Sequence, residues 1–350
     1  YYVDVKAKHL RNTIKRRKRM TKLATIKDVA KMAGVSISTV SLAFNNPERV
    51  TEATRDKIFD AVRSLNYVPA NVNKKTVLSK KKSQSIAVIC PKLVGPYHLE
   101  IIQGISETIY MNQKDMVLYA GDDAINRYLL NIVESHAYQG VILVNGPIYD
   151  ERYLRAAAAA DFPVVMCCFR ESYKGIGSIL INESDIGRRV AEHFLKRKFR
   201  KIGIVGTPAE SSVMRKECFL QTLAEKGIRV PAEWDLQCEL AEDPAYKTVD
   251  RFLHTHAEYP EAIFCQNDDS AIGVIEAIED FGLRVPEDIS IIGCDDLNRS
   301  KFHSPSLSTI ATPKMEVGML AVNLLMREIA GMSSEEIILN GKLILRESCL

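Results

Sequence analysis

From residue 86 to the C-terminus, short continuous apolar runs alternate with amphipathic stretches of helical period, and this alternation limits the chain to one broad architecture. The runs Ser85–Cys90, Met116–Ala120, Gly140–Val144, Pro163–Cys168, Lys201–Val205, Ala262–Cys265 and Ile289–Gly293 read as strands buried on both faces. Helical patterns near 100–112, 123–136, 150–160, 184–197, 213–226, 244–255, 269–281 and 314–330 separate them. Strand followed by helix in this way predicts parallel β-α-β sheets. Roughly 260 residues of it exceed one doubly wound sheet, so two such subdomains facing a cleft are expected.

The first part of the chain has a different period. Thr25 and Asp28 have the spacing of an N-terminal capping pair, and Ile26, Val29, Ala30 and Ala33 fall on one face of a short helix. Gly34 stands where the chain must leave that helix with positive φ. Ser36 then caps a second helix with Val40 and Ala43 inward and Ile37, Ser38, Ser41 and Leu42 outward. A third helix runs from Thr51 to about Leu65 with Ile58, Ala61, Val62 and Leu65 as its core face. Two helices joined by Gly34-Val35-Ser36 cross steeply, as in a helix-turn-helix whose second helix enters a major groove; the alternative is an ordinary helical hairpin.

Charge divides the chain at the same place. Residues 1–85 hold 20 Lys+Arg against 6 Asp+Glu, whereas the remainder holds 27 against 38. A cationic front end releases counterions from phosphates on binding DNA, and an acidic remainder suits a soluble ligand-binding body. Residues 1–24 are read as a basic extension, and 1–19, ahead of Met20, as an upstream segment or a basic arm adding phosphate contacts. No apolar run reaches membrane-spanning length and no secretory signal is apparent, so a cytoplasmic protein with no membrane partner is expected. Eight cysteines, at 90, 167, 168, 218, 238, 265, 294 and 349, lack C-x-x-C spacing and read as small buried hydrophobes; neither a metal nor a cofactor is expected.

The stretches Asp28-Val29-Ala30, Ala33-Gly34-Val35-Ser36, Thr39-Val40-Ser41 and Asn45, followed by Val50-Thr51 and Thr54-Arg55, resemble the headpiece of the lactose-repressor (LacI/GalR) family of bacterial transcription regulators. Further landmarks follow in the family's order: Asn267-Asp268 with Ala271 and Gly273, Gly282 through Ser290, Gly293-Cys294-Asp295-Asp296, and Pro305 through Ile310. The resemblance covers about residues 24–350. It implies an all-α helix-turn-helix headpiece at 25–68 and a hinge at 69–85. The α/β core at 86–350 then has the form of a periplasmic binding protein built from two doubly wound parallel-sheet subdomains. The first subdomain is expected at about 86–181 and 312–332, the second at 182–311 and 333–350.

The DNA-facing set expected on this reading is Thr25, Ser36, Ile37, Ser38, Thr39, Ser41, Leu42, Asn45, Arg49, Thr54 and Leu78. The family's hinge follows Tyr67-Val68-Pro69 as a short helix that pushes a leucine into the minor groove, and Leu78 is assigned that place in a linker about two residues longer than usual. For the effector, Asn267 and Asp295 follow the carboxyl ends of strands, where open α/β sheets bind ligands; helix capping or turn formation is the other role open to each. Arg215, ahead of Cys218-Phe219, matches the family arginine that reaches effector hydroxyls, and Tyr97 beside His98 supplies part of the pocket. The family's aromatic before the aspartate pair is replaced by Cys294, and the second subdomain opens Ile181-Asn182-Glu183 where relatives show aspartate.

Carboxylate, amide and guanidinium together suit a sugar or related polar metabolite. The expected protein is therefore a repressor, not an enzyme, binding double-stranded palindromic operator DNA as a homodimer under control of that effector. One headpiece buries too little groove for tight specific binding, which is why two are expected. Control by a partner protein or a phosphorylated metabolite is the alternative within the same class. A solute-binding protein would need export, and an enzyme would need a nucleophile, P-loop or G-x-S-x-G motif that the sequence lacks. Apolar Ile37 and Leu42 beside Ser38 favour thymine methyls over guanine edges, so half-sites richer in A·T than those of arginine-bearing relatives are expected. Protein-binding microarrays read this directly, and G-dominated half-sites would contradict it.

Overall fold

The computed structural model describes residues 25–45, 49–65, 84–91, 93, 95–121, 124–144, 152–169, 172–207 and 210–349. These fall into two compact units dividing at Lys81 and Lys82.

The N-terminal unit is three helices, α1 (Ile26–Ala33), α2 (Ile37–Asn45) and α3 (Glu52–Leu65). The Asp28 carboxylate accepts from the Thr25 N–H at 2.8 Å and from its hydroxyl at 2.7 Å, closing the start of α1. Gly34 ends that helix at φ 69° and returns its N–H to the Ala30 carbonyl, a conformation that costs other residues about 1 kcal/mol. Val29, Ala30, Val40, Ala43, Val50, Ile58 and Ala61 form the core, with Ile26, Ala33, Val62 and Leu65 packed around it. Leu42 corrects the sequence reading. It lies half-buried against this core and is not a fully outward residue, because the helical turn that buries Ala43 also draws in its neighbour.

The C-terminal unit contains two six-stranded sheets. The first has the order β11-β5-β4-β3-β1-β2, all parallel, from β1 (Ser85–Cys90), β2 (Asp115–Ala120), β3 (Val141–Val144), β4 (Val164–Cys167), β5 (Gly177–Ile181) and β11 (Glu336–Leu339). The second has the order β12-β10-β9-β8-β6-β7, from β6 (Ile202–Gly206), β7 (Asp235–Gln237), β8 (Ala262–Cys265), β9 (Ser290–Cys294), β10 (Ser308–Ala311) and β12 (Lys342–Ile344). Only β12 runs antiparallel. Helices α4 (Gly95–Met111), α5 (Ala124–Ser135), α6 (Arg152–Ala159) and α12 (Lys314–Ile329) accompany the first sheet. Helices α7 (Glu183–Lys196), α8 (Glu210–Ala224), α9 (Glu242–Thr255), α10 (Asp268–Asp280) and α11 (Asn298–Phe302) accompany the second.

Two sequence expectations are corrected here. The segment 333–350 does not lie wholly in the second subdomain, because Glu336–Leu339 pairs with β5 in the first sheet and the chain crosses back only at about 340. Nor is β2 buried on both faces. It is an edge strand, and its ends Asp115 and Ala120 are exposed. Strands β5, β7 and β10–β12 are additional to the runs read from the sequence; β7 and β12 are only three residues long, and β5 follows β4 with no helix between them.

The chain therefore passes between the sheets three times, at about 182, 312 and 340, and the Asn182 amide donates to Asn340 Oδ1 at 2.9 Å to tie two of these passages together. Below the first passage, α7 and α8 approach backbone to backbone. A Cβ on Gly187 would collide with the Arg215 carbonyl and lie 2.9 Å from the Phe219 nitrogen. Gly187→Ala is expected to destabilise the protein by about 1–3 kcal/mol by forcing these helices apart; an unchanged midpoint in denaturant unfolding would show that the crossing relaxes freely.

Candidate functional site

In the headpiece, the start of α2 carries a chain of hydroxyls. Ser36 Oγ accepts from the Thr39 N–H at 3.1 Å and lies 2.7 Å from both Ser38 Oγ and Thr39 Oγ1. Ser36, Ser38 and Ile37 are exposed there, Ile37 at 44%, so this helix end presents hydroxyl donors and acceptors beside an apolar tip. Thr51 Oγ1 and Thr54 Oγ1 are linked at 2.9 Å at the start of α3, and Arg49 is exposed just before it. Thr25 is exposed at the start of α1, while Thr39 and Ser41 are half-buried. Leu78 and the side chain of Asn45 lie outside the described residues.

In the core, a cavity of about 800 Å³ opens between the two sheets. Its walls are built from residues just past the carboxyl ends of β1, β4, β5, β6, β8 and β9, the edge toward which every strand of a parallel sheet directs its loops. All four residues singled out for the effector, Tyr97, Arg215, Asn267 and Asp295, line it.

Their chemistry differs. Arg215, in the second turn of α8, is 8% exposed; its Nε donates to Glu183 Oε2 at 2.8 Å, its Nη2 lies 2.7 Å from the same oxygen, and its Nη1 donates to the Gln266 carbonyl. Asn267 caps α10: its Oδ1 accepts from the Ser270 N–H at 3.0 Å and its Nδ2 donates to the Leu240 carbonyl at 3.1 Å, so both ends of the amide are in use. The Tyr97 hydroxyl donates to Cys168 Sγ at 3.6 Å, and burial raises the phenol pKa well above its usual value. Asp295 follows β9 with φ 121°, and its carboxylate makes neither a hydrogen bond nor an ion pair among the described residues. Burial pushes that carboxyl well above the usual range. Arg215 opposes the shift and the nearby Asp268 adds to it.

Several contributors were not assigned roles from sequence. Glu183 holds Arg215, although only its departure from the family pattern was legible. Asp268, fully buried, accepts from Leu297 N at 2.8 Å, Ser300 Oγ at 2.7 Å and Thr309 Oγ1 at 2.5 Å, fixing the turn that carries Asp295. Lys314, 4% exposed, donates to the Asp295 main-chain carbonyl and lies 3.5 Å from Glu100. Phe169 puts an aromatic ring in the wall. Cys294, in place of an aromatic, is fully buried core, and burial raises its thiol far above the range of a reactive cysteine.

An acid whose folded pKa is raised costs the fold stability that builds as pH rises from the ordinary carboxyl range toward the folded pKa, and the penalty is gone only below the ordinary range. Asp295→Asn is therefore expected to stabilise the ligand-free protein at neutral pH by about 1–3 kcal/mol, with the gain shrinking on acidification. Thermal unfolding of both proteins across pH measures this, and a less stable variant at neutral pH would show that the carboxylate is compensated.

Comparison with known proteins agrees with this geometry. The model of the bacterial regulatory proteins of the lacI family matches residues 25–77, and that of the periplasmic binding protein-like domain matches residues 191–349. The chain is 32% identical over 336 residues to the HTH-type transcriptional repressor PurR of Photobacterium profundum, covering 93% of this chain and 98% of that one. It is 32% identical over 335 residues to the "Probable HTH-type transcriptional repressor ExuR" of Bacillus subtilis, at the same coverage. Among solved structures, the lac repressor dimer bound to operator and the anti-inducer ONPF superposes with a TM-score of 0.70 at 26% identity, covering 94% of this chain and 100% of that one. The CelR–cellobiose complex shares the fold with a TM-score of 0.68 at 22% identity, covering 93% and 99%. A headpiece and core of this form, matched along almost their whole length by repressors, make this chain a member of the lacI family of DNA-binding transcription regulators.

Proposed function

We propose that this regulator is a cytoplasmic repressor that binds a palindromic operator as a homodimer and releases or grips it in response to a small polar effector held in the core cavity. The observation that carries the reading is the cavity itself. It is a chamber of about 800 Å³ at the carboxyl edges of both sheets, with the buried Asp295 and Arg215 in its wall. Neither group serves a catalytic cluster, and together they offer an acceptor and a planar donor to a polar guest. In the lac repressor structure the protein is a dimer on operator, which is the arrangement proposed for this chain.

On DNA, the exposed start of α2 enters the major groove with Ser36, Ile37, Ser38 and Thr39 foremost, while Ser41, Leu42 and Asn45 follow along the helix. Thr25, Arg49 and Thr54 contact flanking phosphates, and Leu78 wedges into the minor groove at the dimer axis. The effector changes operator affinity by about 1–3 kcal/mol through the relative setting of the two sheets. The different names of two relatives of equal identity leave its chemistry to the residues of this chain.

Selection of the full chain from a random duplex pool is expected to yield two-fold symmetric sites. Affinity for them should fall about a thousandfold or more between about 50 and 200 mM salt as displaced counterions reclaim the phosphates. Asymmetric sites or a flat salt profile would refute the reading.

A further inference from the structure

The cavity is more acidic than its own cations neutralise. Among its described lining residues, four carboxylates, on Glu183, Glu239, Asp269 and Asp295, face one guanidinium, that of Arg215. That guanidinium is already held by Glu183 and by the Gln266 carbonyl. Asp269 has Arg299 at 3.4 Å. Lys314 gives its ammonium to the main chain of Asp295 and to Glu100, so it meets the backbone of the aspartate and not its carboxylate. What remains without a direct partner is Asp295, 8% exposed and making neither hydrogen bond nor ion pair among the described residues, with Arg215 and Lys314 offsetting its charge only from beyond contact, and Glu239 on the exposed rim.

A buried carboxylate with no partner is among the costlier features a fold can carry. Here Asp268 and its three donors rigidify the turn that bears it, so the group is held in position and does not relax to solvent. Three kinds of ligand group can be weighed against it. A phosphate or carboxylate would meet two unneutralised negative charges and only a guanidinium already paired. A hydroxyl would satisfy the hydrogen bond but leave the charge buried. A protonated nitrogen supplies both the donor and the missing charge.

We propose that the effector of this cavity is a small hydroxylated amine, of the class of an amino sugar, whose protonated nitrogen seats on Asp295. Its hydroxyls then meet the Glu183–Arg215 pair and Ser184, and Tyr97 and Phe169 in the same wall pack against its carbon skeleton. The proposal rests on the reading of the cavity as the effector site, and it excludes the phosphorylated and uronate classes.

The test uses the full chain in calorimetry and thermal-shift titration against matched sets: glucosamine, galactosamine and amino polyols; glucose, galactose and the parent polyols; glucose 6-phosphate and galacturonate. Operator gel shifts provide a second readout. Saturable binding confined to the amines, weakened about tenfold or more in Asp295→Asn while that variant keeps native circular dichroism and is no less stable to heat, is the expected result. Binding by neutral sugars or by the anions, or amine binding that Asp295→Asn leaves unchanged, would overturn the amine assignment while leaving the cavity an effector site. Failure of every set to bind or to move operator affinity would overturn the cavity reading and this proposal with it.

Discussion

The core rests on one constraint: its chain passes three times between two parallel sheets, all at the same edge. Parallel strands point their carboxyl ends one way, so the segments that leave β5, β10 and β11 for the other sheet emerge beside the loops of β1, β4, β6, β8 and β9. A cavity at that edge follows from the topology. The passages also oblige helices to pack closely beneath them. With no side chain at Gly187, α7 lies against the backbone of α8, and that approach brings Glu183 at the head of one helix to Arg215 in the second turn of the other.

Electrostatics then separates what the chamber needs for its own cohesion from what it leaves open. Glu183 and Arg215 satisfy one another, and replacing either alone would strand a buried charge. Asp268 is buried as deeply as Asp295 and also has its pKa raised by desolvation, but three hydrogen-bond donors surround it and draw that pKa back down. The two neighbouring aspartates thus have opposite characters. Asp268 is a strut, whereas Asp295 carries an unmet acceptor into open space.

Much of this was legible from the residues. Apolar runs buried on both faces marked β1, β3, β4, β6, β8 and β9, because a strand inside a parallel sheet cannot afford polar side chains on either face. The edge strand β2 has the same apolar composition, and only its position in the sheet exposes it, which no local pattern records. Strand β11, with burial alternating along Glu336–Leu339, reads as a tail of the second subdomain until its pairing with β5 is known. At the site, the loop positions of Asn267 and Asp295 were readable, but not which of them is occupied by its own helix. Capping by Asn267 depends on Ser270 and on the Leu240 carbonyl 27 residues away. Lys314 left no signal, since its partners Asp295 and Glu100 are brought to it only by the fold.

A ligand shifts a conformational equilibrium only by the difference in its affinity for the two states, so a sensor must place ligand contacts on both moving parts. The chamber meets that requirement. Tyr97 and Phe169 come from the first sheet's loops, and Arg215 and Asp295 from elements of the second. Lys314 extends the connection past the ligand. It stands just past the second passage between the sheets, after β10, holds the main chain of Asp295 and pairs with Glu100 on α4, the helix whose first turn carries Tyr97. A guest that neutralises Asp295 changes the charge balance around that lysine as well as filling the cavity. Because Lys314 is 96% removed from solvent, water screens little of the change. A guest in the cavity would therefore bear on the contact between the two subdomains as well as on the walls it touches.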